Sequence, residues 1–112
     1  MKKQVLTYLF LMVLLSACTN KVGGHYFFDH IDQFEKALDQ PDWTYIETQA
    51  EELNFMYEDN KWKLQLIGDE GEYEGIDESI NKLMAAVKEE DILNVRMELV
   101  TIKAHLEGIF SL

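Results

Sequence analysis

Asp91-Ile92-Leu93-Asn94-Val95-Arg96-Met97-Glu98-Leu99-Val100-Thr101-Ile102-Lys103-Ala104-His105-Leu106-Glu107-Gly108-Ile109-Phe110 decides the fold class. Within it, Ile92, Val95, Leu99, Ile102, Leu106 and Ile109 succeed one another at alternating spacings of three and four. Only a helix of 3.6 residues per turn brings those positions onto one face. The stretch predicts a helix over 91–110, with an apolar stripe that demands a partner surface.

Working back toward the N-terminus, Glu89-Glu90 reads as a short break. Before it, Ile76, Ile80, Leu83 and Val87 place a helix over 76–88. Gly68, Gly71 and Gly75, interleaved with Asp69, Glu70, Glu72 and Glu74, predict a loop over 68–75. A long helix is expected over 41–66, carried by Trp43, Ile46, Ala50, Leu53, Tyr57 and Leu64, with Glu58-Asp59-Asn60 as the place for it to bend or weaken. Pro41 suits its first turn, where a missing N–H is harmless, and Asp42 suits the positive helix start. Phe27, Ile31, Phe34 and Leu38 define a first helix over 25–39. No segment alternates with period two.

The two halves echo each other at an offset of 49 residues. Phe34 falls on Leu83, Ala37 on Ala86, Leu38 on Val87, Asp42-Trp43 on Asp91-Ile92, and Ile46, Ala50 and Leu53 on Val95, Leu99 and Ile102. Periodicity alone also aligns amphipathic hairpins, so duplication is one of two readings. In either case a single αα-hairpin leaves its stripe uncovered, and two packed together bury it. The expectation is an all-α domain, an antiparallel four-helix arrangement of two αα-hairpins after a cleaved signal peptide.

The signal is read from the first eighteen residues. Lys2 and Lys3 are followed by an apolar run from Val5 to Leu15, then by Ser16, Ala17 and Cys18. A charged start, a short apolar run and small residues form the layout of a secretory signal. About eleven residues is also too short for a membrane span, which needs about twenty. Leu15-Ser16-Ala17-Cys18 resembles the lipobox of bacterial lipoproteins. That resemblance implies diacylglyceryl transfer to the Cys18 sulfur, acylation with fatty acids such as palmitate, and cleavage after Ala17. A plain secretory signal with an incidental cysteine and an uncleaved anchor are the competing readings. The expected organisation is signal peptide 1–17, lipidated cysteine and tether 18–24, and helical domain 25–112. Gly23-Gly24 closes the tether.

Cys18 is the one cysteine of the sequence, so its lipidation leaves no thiol for a disulfide, a metal or catalysis. Cleavage removes Lys2 and Lys3 but no acid, which takes the net charge from −11 to −13. Such acidity disfavours nucleic acid, whose phosphates need Lys and Arg, and disfavours adsorption to anionic lipid. Beyond the signal the serines are Ser79 and Ser111, neither in a nucleophile elbow, and no phosphate-cradling glycine loop exists. The expectation is a non-enzymatic protein without a cofactor.

Three constellations were candidates for binding. Asp69, Glu70, Glu72 and Glu74 form the weak cation candidate, although an EF-hand register from Asp69 puts Gly71, Tyr73 and Ile80 at ligand positions. His25, His30 and His105 would need to converge, or to recruit carboxylates such as Asp29, to hold zinc. Phe28, Phe55 and Trp62 fall off the main stripes and form the candidate partner face.

Asp42-Trp43 opening a helix, Trp62 near its end, the acidic stretch before Ile76, and Asp91 opening a regularly spaced last helix are together similar to the proteins grouped as domain of unknown function 4363. The resemblance covers residues 27–110. It implies a Gram-positive helical-hairpin protein behind an N-terminal signal or anchor, with no established activity, that assists a membrane protein encoded nearby. The histidine that often precedes the family's acidic stretch is replaced here by Gly68 and Asp69. The functional expectation is a module lipid-anchored to the extracytoplasmic face of the cell membrane, an accessory or interaction protein for another envelope protein. The alternative is a lipoprotein that binds a small ligand or calcium. Thr19 after the cysteine also permits outer-membrane export in a Gram-negative cell.

Overall fold

In a computed structural model, which describes residues 4–9 and 24–111, all regular structure among the described residues is helical. Residues 4–9 are helical, with Val5, Leu6, Tyr8 and Leu9 exposed. The domain itself is built from α1 (His25–Ala37), α2 (Trp43–Ile67), α3 (Glu70–Lys88) and α4 (Ile92–Phe110).

Each start is set by a local hydrogen bond. Gly24 caps α1 in the left-handed region, at φ 79°, and its carbonyl accepts from the N–H groups of Phe27 and Phe28. Asp42 and Asp91 cap α2 and α4 from extended backbone, their carboxylates accepting from Thr44 N–H and Asn94 N–H. Such caps satisfy amide groups that the first helical turn leaves open. The end of α3 is a Schellman motif: Glu90 N–H donates to Val87 O and Asp91 N–H to Ala86 O, with Glu90 at φ 54°.

The stripes read from the sequence are the core. Phe34, Ile46, Ala50, Leu83, Val95, Leu99 and Leu106 have no exposed surface, and Ile31, Leu53, Tyr57, Leu64, Ile76, Ile102 and Ile109 are almost as deeply buried. Trp43 and Ile92, each the first residue of its helix, are only half-buried. The echo between the halves extends into three dimensions. Phe27 and Ile76, Ile31 and Ile80, and Tyr57 and Leu106 are buried pairs at the same offset, and so are the polar His30 and Ser79. The α3–α4 contact is the most extensive, followed by α2–α3, α1–α2 and α1–α4, while α1 and α3 do not pack on each other.

Four expectations are corrected. Residues 70–75 are not a loop, because α3 starts at Glu70. Acidic residues in a first turn favour the helix through its positive end, and Tyr57 OH donates to Tyr73 O at 2.9 Å, fixing that turn to α2. Pro41 does not lie in the first turn of α2; it precedes the cap, because Asp42 holds that position. The helix does not weaken at Glu58-Asp59-Asn60, where Asn60 Nδ2 donates back to Met56 O at 2.8 Å. α1 also stops at Ala37, two residues short of the expected end, with Leu38 as its C-cap.

Left-handed backbone costs an L-residue about 1–2 kcal/mol, offset for glycine by a chain-entropy penalty of about 0.5–1 kcal/mol. Glu90→Gly is therefore expected to raise the unfolding free energy by up to about 1 kcal/mol. Urea denaturation followed by circular dichroism reads this directly, and an unchanged or lowered midpoint would contradict the left-handed turn.

Candidate functional site

Leu15, Ser16, Ala17 and Cys18, the lipidation and cleavage positions, lie outside the described residues. The described part of the domain begins at Gly24, and its surroundings show at which end of the domain α1 starts. A Cβ at Gly24 would stand 2.8 Å from Phe110 Cδ2 and 3.1 Å from Phe28 Cε2. With the positive φ, that close approach makes the position glycine-specific. Phe28 and Phe110 meet edge-on at 6.4 Å between ring centres, and Phe27 lies 6.4 Å from the same Phe110 ring. Gly68, at the end of α2, is against Ile109. The start of α1, the end of α2, the start of α3 and the end of α4 therefore share one end of the domain.

At that end an open groove is lined by Phe27, Asn60, Lys63, Leu64, Leu66, Ile67 and Phe110, almost wholly with apolar atoms. Beside it, α2 turns an apolar stripe outward. Phe55, Trp62 and Leu66 are 66, 60 and 76 % exposed, and their spacings of seven and four set them on one face. Lys63 Nζ lies 5.4 Å from the Trp62 ring centre. Of the expected partner face, Phe55 and Trp62 are thus exposed. Phe28 is corrected: it is half-buried, because its ring is needed against Phe110.

A second outward stripe was overlooked in the sequence. Leu93, Met97 and Val100 on α4 are exposed and lie opposite the buried stripe. Their spacings of four and three carry the same helical signal as the core positions. The stronger inner stripe masked it, so α4 is apolar on both faces.

The acidic residues do not form a ligand cage. Asp69 is the N-cap position of α3, and Glu70, Glu72 and Glu74 follow along its first turns. Glu70 and Glu74 stack as like charges one turn apart, and the Glu70 carboxylate pushes the Glu74 carboxyl above its ordinary range. Glu72 turns the other way and accepts from His105 Nδ1 at 2.7 Å. No group of three or more His, Cys, Asp or Glu suited to a metal occurs among the described residues. The histidines stay apart: His25 is exposed, and buried His30 donates from Nε2 to Gln49 O at 3.0 Å. Ser79 is buried in the core, and Ser111 donates to Gly108 O, so neither is paired with a base.

The Glu72–His105 contact exists because two glycines admit it. A Cβ at Gly75 would stand 2.5 Å from His105 Nε2, and one at Gly108 3.0 Å from the Glu72 carboxylate. No spacing rule links residues 72, 75, 105 and 108, so this cluster was not legible before the helices were paired. On the other side of α3, Lys61 pairs with Asp77 at 3.2 Å. Burial, reinforced by the Asp77 carboxylate, raises the Tyr57 hydroxyl above its ordinary range and keeps it a hydrogen-bond donor.

No family model, curated protein or solved structure matches the chain.

The glycines of α3 provide an internal control. Nothing lies within 4 Å of a Cβ at Gly71, so Gly71→Ala is expected to stabilise by up to about 1 kcal/mol through helix propensity. Gly75→Ala must displace the His105 ring and is expected to cost about 1–3 kcal/mol despite the same propensity gain. Thermal melts of the two variants should shift in opposite directions, and equal shifts would contradict the α3–α4 packing.

Proposed function

We propose that the protein is a bacterial lipoprotein, held by a diacylglyceryl group on Cys18 at the extracytoplasmic face of the cell membrane, whose helical domain is a non-enzymatic accessory module for another envelope protein. The finer architecture belongs to this reading: a cleaved signal over 1–17 and an antiparallel four-helix arrangement of two αα-hairpins. Several contacts support the antiparallel order. Phe27 meets Phe110 while Asp39 pairs with Arg96, so α1 and α4 run in opposite directions. Trp43 and Thr44 lie near Val87 and Lys88, while Tyr57 reaches Tyr73, so α2 and α3 do as well. The turns after α1 and α3 reverse the chain within a few residues. The similarity to domain of unknown function 4363 belongs to the same proposal.

The observation that carries the functional reading is the outer face of α4. A helix with one covered stripe needs polar residues on its other side to stay soluble. Leu93, Met97 and Val100 occupy that side instead. Exposed contiguous apolar surface marks an interaction site, and an apolar patch rimmed by charge is the anatomy of a protein interface. Glu98 and Arg96 flank the stripe, and the domain's net acidity favours a partner with basic residues around its contact. Anchoring supports the reading too, because confinement to a membrane raises the local concentration of two proteins and allows a modest interface to suffice.

Crosslinking with mass spectrometry on intact membranes tests this proposal, comparing the native protein with Cys18→Ala and with Val100→Asp. One dominant membrane-protein partner is expected, lost when the anchor is removed and reduced at least tenfold by the charge on the α4 stripe, the equivalent of about 1.4 kcal/mol. A lipidated, folded protein with no reproducible partner would exclude the accessory role.

A further inference from the structure

We infer that the tether end of the domain lies directly on the bilayer, with Leu66 and Ile67 at the margin of the hydrocarbon and Trp62 at headgroup level. The inference rests on the lipidated Cys18 proposed above, and adds an orientation that lipidation alone does not fix.

Chain length comes first. Gly24 lies six residues beyond Cys18, and a fully extended chain covers about 3.3–3.6 Å per residue, so the tether reaches about 22 Å at most. Gly24 is fixed against Phe110 and Phe28 by its left-handed cap. An acylated Cys18 therefore brings this end, and no other, to the membrane. The opposite end, at the Glu90 turn, is a full length of α4 further away, about 28 Å for nineteen residues.

Surface chemistry agrees. Leu66 is the most exposed large apolar residue of the molecule's described surface, Ile67 is next to it, and the groove between them and Phe110 is apolar. Trp62 stands one turn above, with Lys63 beside its ring. Tryptophan, with an apolar body and one polar N–H, concentrates at membrane–water interfaces, and a lysine stem lies along apolar surface with its ammonium toward the headgroups. A short tether supplies a high effective concentration, so a contact too weak to bind a vesicle from solution holds once the lipid is in place.

Charge sets the tilt. Asp69, Glu70 and Glu74 open α3 at the same end and are repelled by anionic headgroups. The domain must lean onto the end of α2 and lift the start of α3, and docking is stronger on neutral than on anionic lipid.

The test uses the full lipidated protein carrying Trp43→Phe, which leaves Trp62 as its one tryptophan, in phosphatidylcholine vesicles with chain-brominated lipid. Intact mass establishes the state of Cys18. The expected result is about twofold quenching of Trp62 by the brominated chains, consistent with an indole at the interface. Quenching should be lost in Leu66→Asp, whose exposed position leaves folding intact by circular dichroism, and should be weaker when anionic lipid is included. A lipidated protein without quenching overturns the docking and leaves the anchor standing. An unmodified Cys18 overturns both. A photo-crosslinker at position 66 that captures a protein or a second copy in cells, in place of lipid, also overturns the docking.

Discussion

The buried stripe Val95, Leu99, Ile102, Leu106 and Ile109 is the surface that the rest of the domain must cover. α3 lies along it, α1 approaches from its other side, and α2 completes the ring by packing on α1 and α3. A core of aliphatic and aromatic side chains, with Phe34 and Tyr57 the largest, carries this load, and residues 24–111 contain no cysteine for a disulfide. For a domain of this size the apolar area buried only modestly exceeds the conformational entropy lost. Four of the eight helix ends carry a well-defined cap: two aspartates, a left-handed glycine and a Schellman turn.

Close approach of α3 and α4 is the second constraint. Gly75 and Gly108 remove the two Cβ atoms that would separate the helices, and the space is filled by the Glu72–His105 pair. Both side chains are about one-third exposed, so solvent screening keeps the energy of the pair small. Its value is geometric: it fixes the register in which the core stripes meet. The repeat of burial at 49 residues shows the same economy, with His30 and Ser79 occupying equivalent polar places in the two halves of the sequence. His30 has a backbone acceptor in Gln49 O, while the buried Gln49 Oε1 receives no donor among the described residues.

The surface divides along the domain's length. Apolar residues crowd the tether end of α2 and the outer face of α4, while carboxylates cover much of the remainder. The proposed orientation uses both apolar regions, one toward the membrane and one toward a neighbour.

The four helices of the domain and their core stripes were legible in the sequence, though not every helix boundary, because the stripes depend on periodicity, and periodicity is a local property of the chain. Phe34, Leu53, Leu83 and Leu99 needed no structure to be placed inside. Asp91 was legible as a helix opener, and the Glu89-Glu90 break as a turn, for the same reason. The tertiary structure decided what local rules leave balanced or misjudge. Residues 70–75 carry two glycines, and their helical form comes from Tyr57 reaching Tyr73 and from His105 reaching Glu72. Phe28 and Trp62 look alike as off-stripe aromatics, yet one is held by Phe110 and the other has open space beside it. The convergence of Gly24, Leu66, Ile67 and Phe110 at one end is likewise absent from any window of sequence. A pattern fixes which face of a helix is apolar, but only the packing of one helix on another decides whether that face is covered.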